Sequence, residues 1–546
     1  MKRLFRHETA FFLAVWLILL VAFRERGFYD PGALWHIKVG EIILDRGFPH
    51  TDPFTYTFEG HTWIPQQWGA EVLMAWAHRV GGFDTLLLGF TALVAGLFTV
   101  IFRRATQAGM GPLLAGLIVG GALFVGAFHY FVRPHMFTIA LLGWTMMCIV
   151  DFERGRCGVA RLAWLIPLYV LWTNLHGGVL GGTMTLGLAV AGWGLLFLIR
   201  KPNPPTPFPT REGGATSSTP PFSGEGPGEG SRSRSPMQNW RTAFLLVGIV
   251  IACGLTPFIN PFGMELLNTW QRIVGSRVLQ HIVNEHMPLD PSSPLGLMII
   301  AFGAFYLVML AGVFPKLPRV SWLIPIVWLV LSFKGIRQGP LFAITAAVAI
   351  VDLWPHTIWH RLLKKHGDGS LARDPDPSPS RSWAWAAVPA FLVLFALVLQ
   401  ANHKAFPVIG SGWARLDPNF IPIELTEELQ AYAASVPVGT RIFNDANLGG
   451  YLIYHTPTLK IFMDDRCELY GDDEMEYYSD TLGLPTDELG VRFEEWAKRL
   501  QFDRAIVMTD PRGEEKFPLE QYLVNAPGKW REVARARRAV IFERVR

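Results

Sequence analysis

The stretch Phe28 to Thr57, FYDPGALWHIKVGEIILDRGFPHTDPFTYT, sets Asp30, His36, Glu41, Asp45, His50 and Asp52 directly behind an apolar run. Further pairs stand in short connections between later apolar runs: Arg133 and His135 in FVRPHMF, Asn174 and His176 in TNLHGG, Glu285 and His286 in NEHM, and Lys334 and Arg337 in FKGIRQG. Carboxylates and imidazoles at such places have the chemistry to move protons, and guanidinium or ammonium groups have the chemistry to hold anions. An ionisable group beside hydrocarbon is costly unless it has a partner or a role. Each also has a plainer reading. Arg133, Lys334 and Arg337 could anchor helix ends at lipid phosphates, and His135 and His176 could satisfy backbone carbonyls. Asp30 before Pro31 could cap a helix that begins near Ala33, because Asp accepts backbone N–H bonds there. Asp52–Pro53 reads as a turn.

The elements that would position these residues are membrane helices. The chain has 546 residues, of which 50% are hydrophobic and 17% charged, with 20 Trp and a mean hydropathy of +0.27. That is a membrane-protein composition. A net charge of +4 without a basic block interleaved with aromatics gives no support to nucleic-acid binding. The cysteines Cys148, Cys157, Cys253 and Cys467 show no CxxC or zinc spacing, so neither a disulfide framework nor a cysteine metal site is indicated.

A spanning helix needs about 20 mostly apolar residues. About eleven segments qualify, near 8–23, 83–102, 111–130, 136–150, 160–175, 177–199, 241–256, 294–314, 319–333, 337–353 and 383–401. The first is read as an uncleaved helix with its basic start in the cytoplasm, since no small-residue cleavage site follows. With that orientation RRATQAG, ERGRCGVAR, RKPNPP to SRSRS, PKLPR and HRLLKKHGDGSLAR all fall on the cytoplasmic side, and all are basic. The candidate site residues then gather at one extracytoplasmic face of the bilayer.

Between the first two spans, 24–82 forms an outer loop. GALWHIKVGEIILDRG and Gln67 to Arg79 carry apolar residues at helical spacing, which predicts two amphipathic helices lying on the outer membrane surface. Residues 201–238 are rich in Pro, Gly and Ser and read as a disordered cytoplasmic loop. Residues 402–546 hold 24 of the 45 acidic residues and read as a soluble extracytoplasmic α/β domain, with TRIFND, KIFMD, RAIVMT and RAVIFERV as strands of a small mixed sheet. The expected architecture is therefore mainly α: a polytopic bundle over 1–401 followed by this tail.

An aspartate just after the first span, an outer loop with interfacial helices, about eleven spans and an extracytoplasmic tail together resemble the GT-C superfamily of integral-membrane glycosyltransferases. The wording DPGALWHIKVGEIILDRGFPHTDPFTYT, RPHMF, LWTNLHGG, NPFG and NDANLGGYLIY to IFMDDR looks like an uncharacterised bacterial group related to it. The resemblance implies a sugar donor on a polyprenyl phosphate, embedded in the outer leaflet of the inner membrane and attacked by an acceptor hydroxyl of an envelope glycan, lipid or protein. Asp30 would be the general base, a carboxylate within reach of that hydroxyl. Arg133 and Arg337, with Lys334, His135 and His176 behind them, would stabilise the leaving phosphate. His36, Asn174 and Glu285 would contact the acceptor or support the site. Where many members show two adjacent acids, YDP offers one. A divalent metal ion would require the fold to bring Asp30 together with His36, Asp52 or Glu285.

Two other readings compete. A transporter or flippase for a lipid-linked substrate would place polar residues near the midplane and often shows repeated halves; here they lie at one face and no repeat is visible. A non-catalytic scaffold would use the tail, with DDRCELYG as a contact loop for an envelope partner.

Overall fold

Long apolar runs fold as helices because a helix satisfies its own backbone groups where no water is present. The computed structural model of the protein describes residues 6–199, 236–237, 239–367, 369–376, 411–514 and 517–545, with isolated positions between 390 and 398. Among these residues seven helices are long and apolar enough to cross a membrane: Trp68–Gln107, Pro112–His129, His135–Glu153, Val179–Ile199, Trp240–Phe258, Pro294–Ala311 and Ile336–His356. Three shorter apolar helical segments, His7–Ala22, Val159–Leu175 and Val320–Lys334, complete the set. These ten match ten of the expected segments; the eleventh, 383–401, and the 201–238 loop lie almost wholly outside the described residues. The site draws on α1 (His7–Ala22), α2 (Gly32–Arg46), α3 (Trp68–Gln107), α4 (Pro112–Gly126) and α5 (His135–Glu153).

Both outer-loop helices form, but α2 does not lie with a free apolar face on lipid. Its Ala33 and Ile37 join the bundle core, while Leu34, Trp35 and Val39 join a core shared with the tail, and all five are buried. The helix is enclosed because the tail supplies a second apolar surface. The other predicted helix leads directly into the second span as α3, with a kink at Gly81–Gly82, where the backbone leaves helical angles.

The tail contains a five-stranded sheet, β1 (Arg441–Asn444), β2 (Lys460–Ile461), β3 (Arg504–Met508), β4 (Trp530–Arg535) and β5 (Ala539–Arg544), in the order β2-β1-β3-β5-β4. β1 pairs parallel with β2 and β3, and β5 pairs antiparallel with β3 and β4. The sheet is mixed, as the alternation predicts, with β4 added at the edge.

The connection 24–82 clasps this domain. Ile461 N–H donates to the Phe54 carbonyl and Tyr56 N–H to the Ile461 carbonyl, both at 3.1 Å, so the loop extends the β2 edge. Asp52 forms the expected turn, accepting the N–H groups of Phe54 and Thr55. It also accepts Arg466 Nη2 at 2.7 Å; Arg466 is fully buried and bonds Asp464 as well. Phe54 and Trp63 flank that guanidinium. DDRCELYG therefore faces inward and ties the tail to the loop. Helix Gly449–His455 crosses the start of α2 so closely that a Cβ on Gly450 would stand 2.3 Å from the Pro31 carbonyl oxygen.

Candidate active site at one end of the bundle

Asp30 ends the turn that follows α1. Its Oδ1 accepts Gly32 N–H at 2.8 Å, which starts α2, and its Oδ2 pairs with Arg133 Nη1. The aspartate thus has the capping geometry and an ion pair at once, with 15% of its side chain exposed. Arg133 is delivered by RPHMF, where Pro134 and His135 begin α5.

Around this pair the ends of several helices converge. His129 Nδ1 lies 3.7 Å from Glu285, and His286 Nε2 lies 3.8 Å from the same carboxylate. Arg337 Nη1 approaches His286 Nε2 at 2.5 Å. The histidine rings of 129 and 135 sit 4.3 Å apart and those of 135 and 176 sit 6.5 Å apart. Burial pushes the Glu285 carboxyl up, but Arg133, His129, His286 and Arg337 outweigh it and hold it near 2, so it is anionic at neutral pH. Burial and then Arg133 and Arg337 drive His176 down to about 3, and burial with Arg337 drives His286 to about 4. His176 and His286 are therefore neutral hydrogen-bonding groups, while the arginines are the fixed cations.

The remaining predicted residues take varied places. His176 Nδ1 accepts Gly178 N–H at 2.9 Å, which leaves the ring proton on Nε2. His135 Nε2 meets the His129 carbonyl at 2.6 Å. Asn174 is consumed in packing: its amide accepts Trp68 Nε1 and donates to the carbonyls of Val170 and Ile259. His36 is fully buried, with Nδ1 2.9 Å from Glu71 Oε1. Lys334 is exposed and forms no ion pair among the described residues. Asp52 belongs to Arg466. A metal ion held by Asp30 with His36, Asp52 or Glu285 does not fit this arrangement, and no three His, Cys, Asp or Glu side chains converge on a metal-sized point among the described residues.

Two acids are absent from the predicted set. Glu71 lies within the predicted Gln67–Arg79 helix, and only its buried pairing with His36 sets it apart. Asp465 comes from DDR in the tail. The point where a Cβ would stand on Gly32 is 2.8 Å from Asp30 Oδ1, 2.8 Å from Asp465 Oδ2 and 3.3 Å from Arg133 Cζ. A side chain at position 32 would collide with both carboxylates and press on Arg133, so glycine permits the close approach. Two consecutive acids before Arg466, directly after strand-like KIFM, were the available signal.

No protein-family model matches the chain. No curated protein matches it in sequence. Among solved structures, the chain is similar to an oligosaccharyltransferase of Archaeoglobus fulgidus tethered to an acceptor peptide containing the NVT sequon. The TM-score is 0.50 at 11% identity, over 99% of this chain and 74% of that one. The apo form of that enzyme gives a TM-score of 0.47 at 13% identity, over 92% and 69%. The likeness is one of fold: this chain shares the fold of that oligosaccharyltransferase, the kind of fold that its motifs imply.

Proposed function

We propose that this chain is a membrane glycosyltransferase that moves a sugar from a polyprenyl-phosphate donor to an acceptor hydroxyl. The observation that carries the reading is the juxtaposition of Asp30 with Arg133 at the end of the bundle where Arg337 and the neutral histidines also gather. In this scheme Asp30 takes the acceptor's proton as the acceptor oxygen bonds to the anomeric carbon. The bond from that carbon to the phosphate oxygen breaks with its electron pair going to phosphate, where Arg133 and Arg337 stabilise the charge. Neutral His176, with its proton on Nε2, serves as a donor rather than a counter-ion. Glu285 keeps the arginines from being an unrelieved positive cluster. The site and the tail then face the outside of the inner membrane, the bundle corresponding to 1–401 and the tail to 402–546.

The test is transfer of labelled sugar from polyprenyl phosphate into envelope fractions. Asp30→Asn is expected to lower the rate per folded molecule by about 10²–10⁴, with a lower thermal transition because Arg133 loses its charged partner. Undiminished transfer by folded Asp30→Asn removes Asp30 as base. Reporter fusions at residues 220 and 410 check the orientation, with a cytoplasmic signal expected only at 220; a cytoplasmic signal at 410 overturns the outward-facing site.

A further inference from the structure

Asp30 alone is a poorly placed base, because both of its oxygens are already engaged, one by Gly32 N–H and one by Arg133. The structure supplies a second carboxylate at the same point. Asp465 Oδ2 and Asp30 Oδ1 each lie 2.8 Å from one position above Gly32, so the two oxygens are no more than twice that distance apart. The other Asp465 oxygen, Oδ1, is buried without a hydrogen-bond partner among the described residues. An unpartnered carboxylate oxygen costs free energy in a structural role. It is a natural seat for a proton.

We propose that Asp465 is a positioning residue of the transferase site: the tail presents its carboxyl beside Asp30 so that the two share one proton, and the acceptor's proton is taken up by the pair. This rests on the transferase reading and deepens it. The acceptor O–H breaks as its oxygen bonds to the anomeric carbon, the proton passes to the partly exposed Asp30, and the Asp30–Asp465 pair then holds it. Two like charges so close do not both remain ionised easily, and their protons leave in steps that belong to the pair.

The electrostatics agree. Burial first, and then the charge of Asp30 and of Asp464, push the Asp465 carboxyl up to about 7 against the pull of Arg133. The charged groups that act on it are Asp30 and Arg133 from the bundle end and Asp464 from its own segment, while Glu285 and Glu468 act on its neighbours Arg133 and Cys467. A base is most effective when its proton affinity lies near the working pH. The sign follows: the doubly ionised pair is the competent base, so transfer rises as pH increases through about 7. A merely structural Asp465 predicts no such rise.

The experiment uses the full chain in detergent micelles and has two readouts. The first is the pH profile of labelled-sugar transfer from polyprenyl phosphate. Asp465→Asn, which keeps the size of the side chain, is expected to lower kcat by about tenfold to a hundredfold at pH 8, leave the donor KM unchanged, and flatten the rise near neutrality; Asp465→Glu restores part of the rise. Wild-type rate and profile in Asp465→Asn overturn the inference while leaving the transferase reading intact. The second readout is the infrared band of protonated carboxyl groups, which needs no substrate. A band that titrates near neutrality is expected in the wild type, absent in Asp465→Asn and moved to lower pH in Asp30→Asn. Its absence from the wild type overturns the shared proton. A wild-type chain that shows the shared titration but transfers no lipid-linked sugar overturns the transferase reading alone.

Discussion

The bundle is polar at both ends, and the two ends treat their carboxylates differently. At the end away from the tail, Arg104 grips both oxygens of Asp151 at 2.5 and 2.9 Å, and Arg156 adds a third bond. Asp352 accepts Arg154 on one oxygen and Trp322 on the other. Glu153 accepts Trp193 Nε1 and Val320 N–H on Oε1 and Ser321 N–H on Oε2. Each of these acids has both oxygens bonded, and apart from the local Arg156–Asp151 bond each bond joins different helical segments. At the tail end, Asp465 Oδ1 and Glu71 Oε2 have no partner among the described residues, and the imidazole nitrogens of His129 and His286 stand 3.7 and 3.8 Å from Glu285. Buried polar groups in a purely structural role are hydrogen-bonded. The far end has one open carboxylate of its own, Glu8, whose Oε2 is buried without a bond and whose Oε1 lies 3.9 Å from Arg103; at the tail end the open carboxylates gather around Asp30 and Arg133, which is what a site awaiting a substrate leaves open.

The contrast breaks most forcefully at the joint between tail and bundle. Arg466→Met leaves Asp52 and Asp464 facing each other in a dry interface, and losing one partner of a buried ion network costs about 3–5 kcal/mol. Limited proteolysis of the tail should accelerate accordingly, and transfer should fail with it, because the tail carries Asp465. A tail that stays docked and protected in Arg466→Met would show that the apolar contacts of α2 suffice. A smaller effect of opposite kind is expected at the far end. Asp352→Asn unsettles Arg154, whose side chain is 17% exposed, so water offsets part of the loss and the cost is about 1–3 kcal/mol. Thermal unfolding should reveal it, while the transfer rate per folded molecule stays unchanged. If transfer falls and stability does not, the division between a finished end and an unfinished one is wrong.

How much of this was legible in the sequence follows from what each feature depends on. Spans are local: an apolar run of sufficient length has one solution in a bilayer, so ten described segments match their expected places. The α2 helix was also local, and its start at Gly32 departs from the expected Ala33 by one residue. Its burial was not, because the covering surface comes from Gly449–His455, some four hundred residues later. β4 escaped for a related reason: WREVAR lies at the sheet edge, mostly exposed after Trp530, and shows no apolar alternation to mark it. The gathering of Arg133, Glu285, His286 and Arg337 near Asp30 was readable from alternating topology alone. Asn174 and Lys334 satisfied the same topological criterion, yet one is spent on packing and the other faces outward, since topology fixes the end of the bundle and not the direction of a side chain. Asp465 depends on the docking of two domains, which no local pattern encodes.

The smallest effect is expected where neither end is involved. Asp45 on α2 and Arg79 on α3 form an ion pair at 2.7 Å, with the side chains 57% and 44% exposed. Solvent and salt screen such pairs, and their contribution is about 0–1 kcal/mol. Asp45→Ala should therefore leave both the thermal transition and transfer within error, although the pair bridges the two helices that frame the site. The helices are held by other means: the Glu71 carbonyl sits so close to Gly40 that a Cβ there would stand 2.0 Å from its oxygen. Gly40→Ala forces the same two helices apart without touching any charge. A large loss from Asp45→Ala together with tolerance of Gly40→Ala would mean that surface ion pairing, rather than close backbone packing, sets the separation of α2 and α3 and hence the position of Asp30.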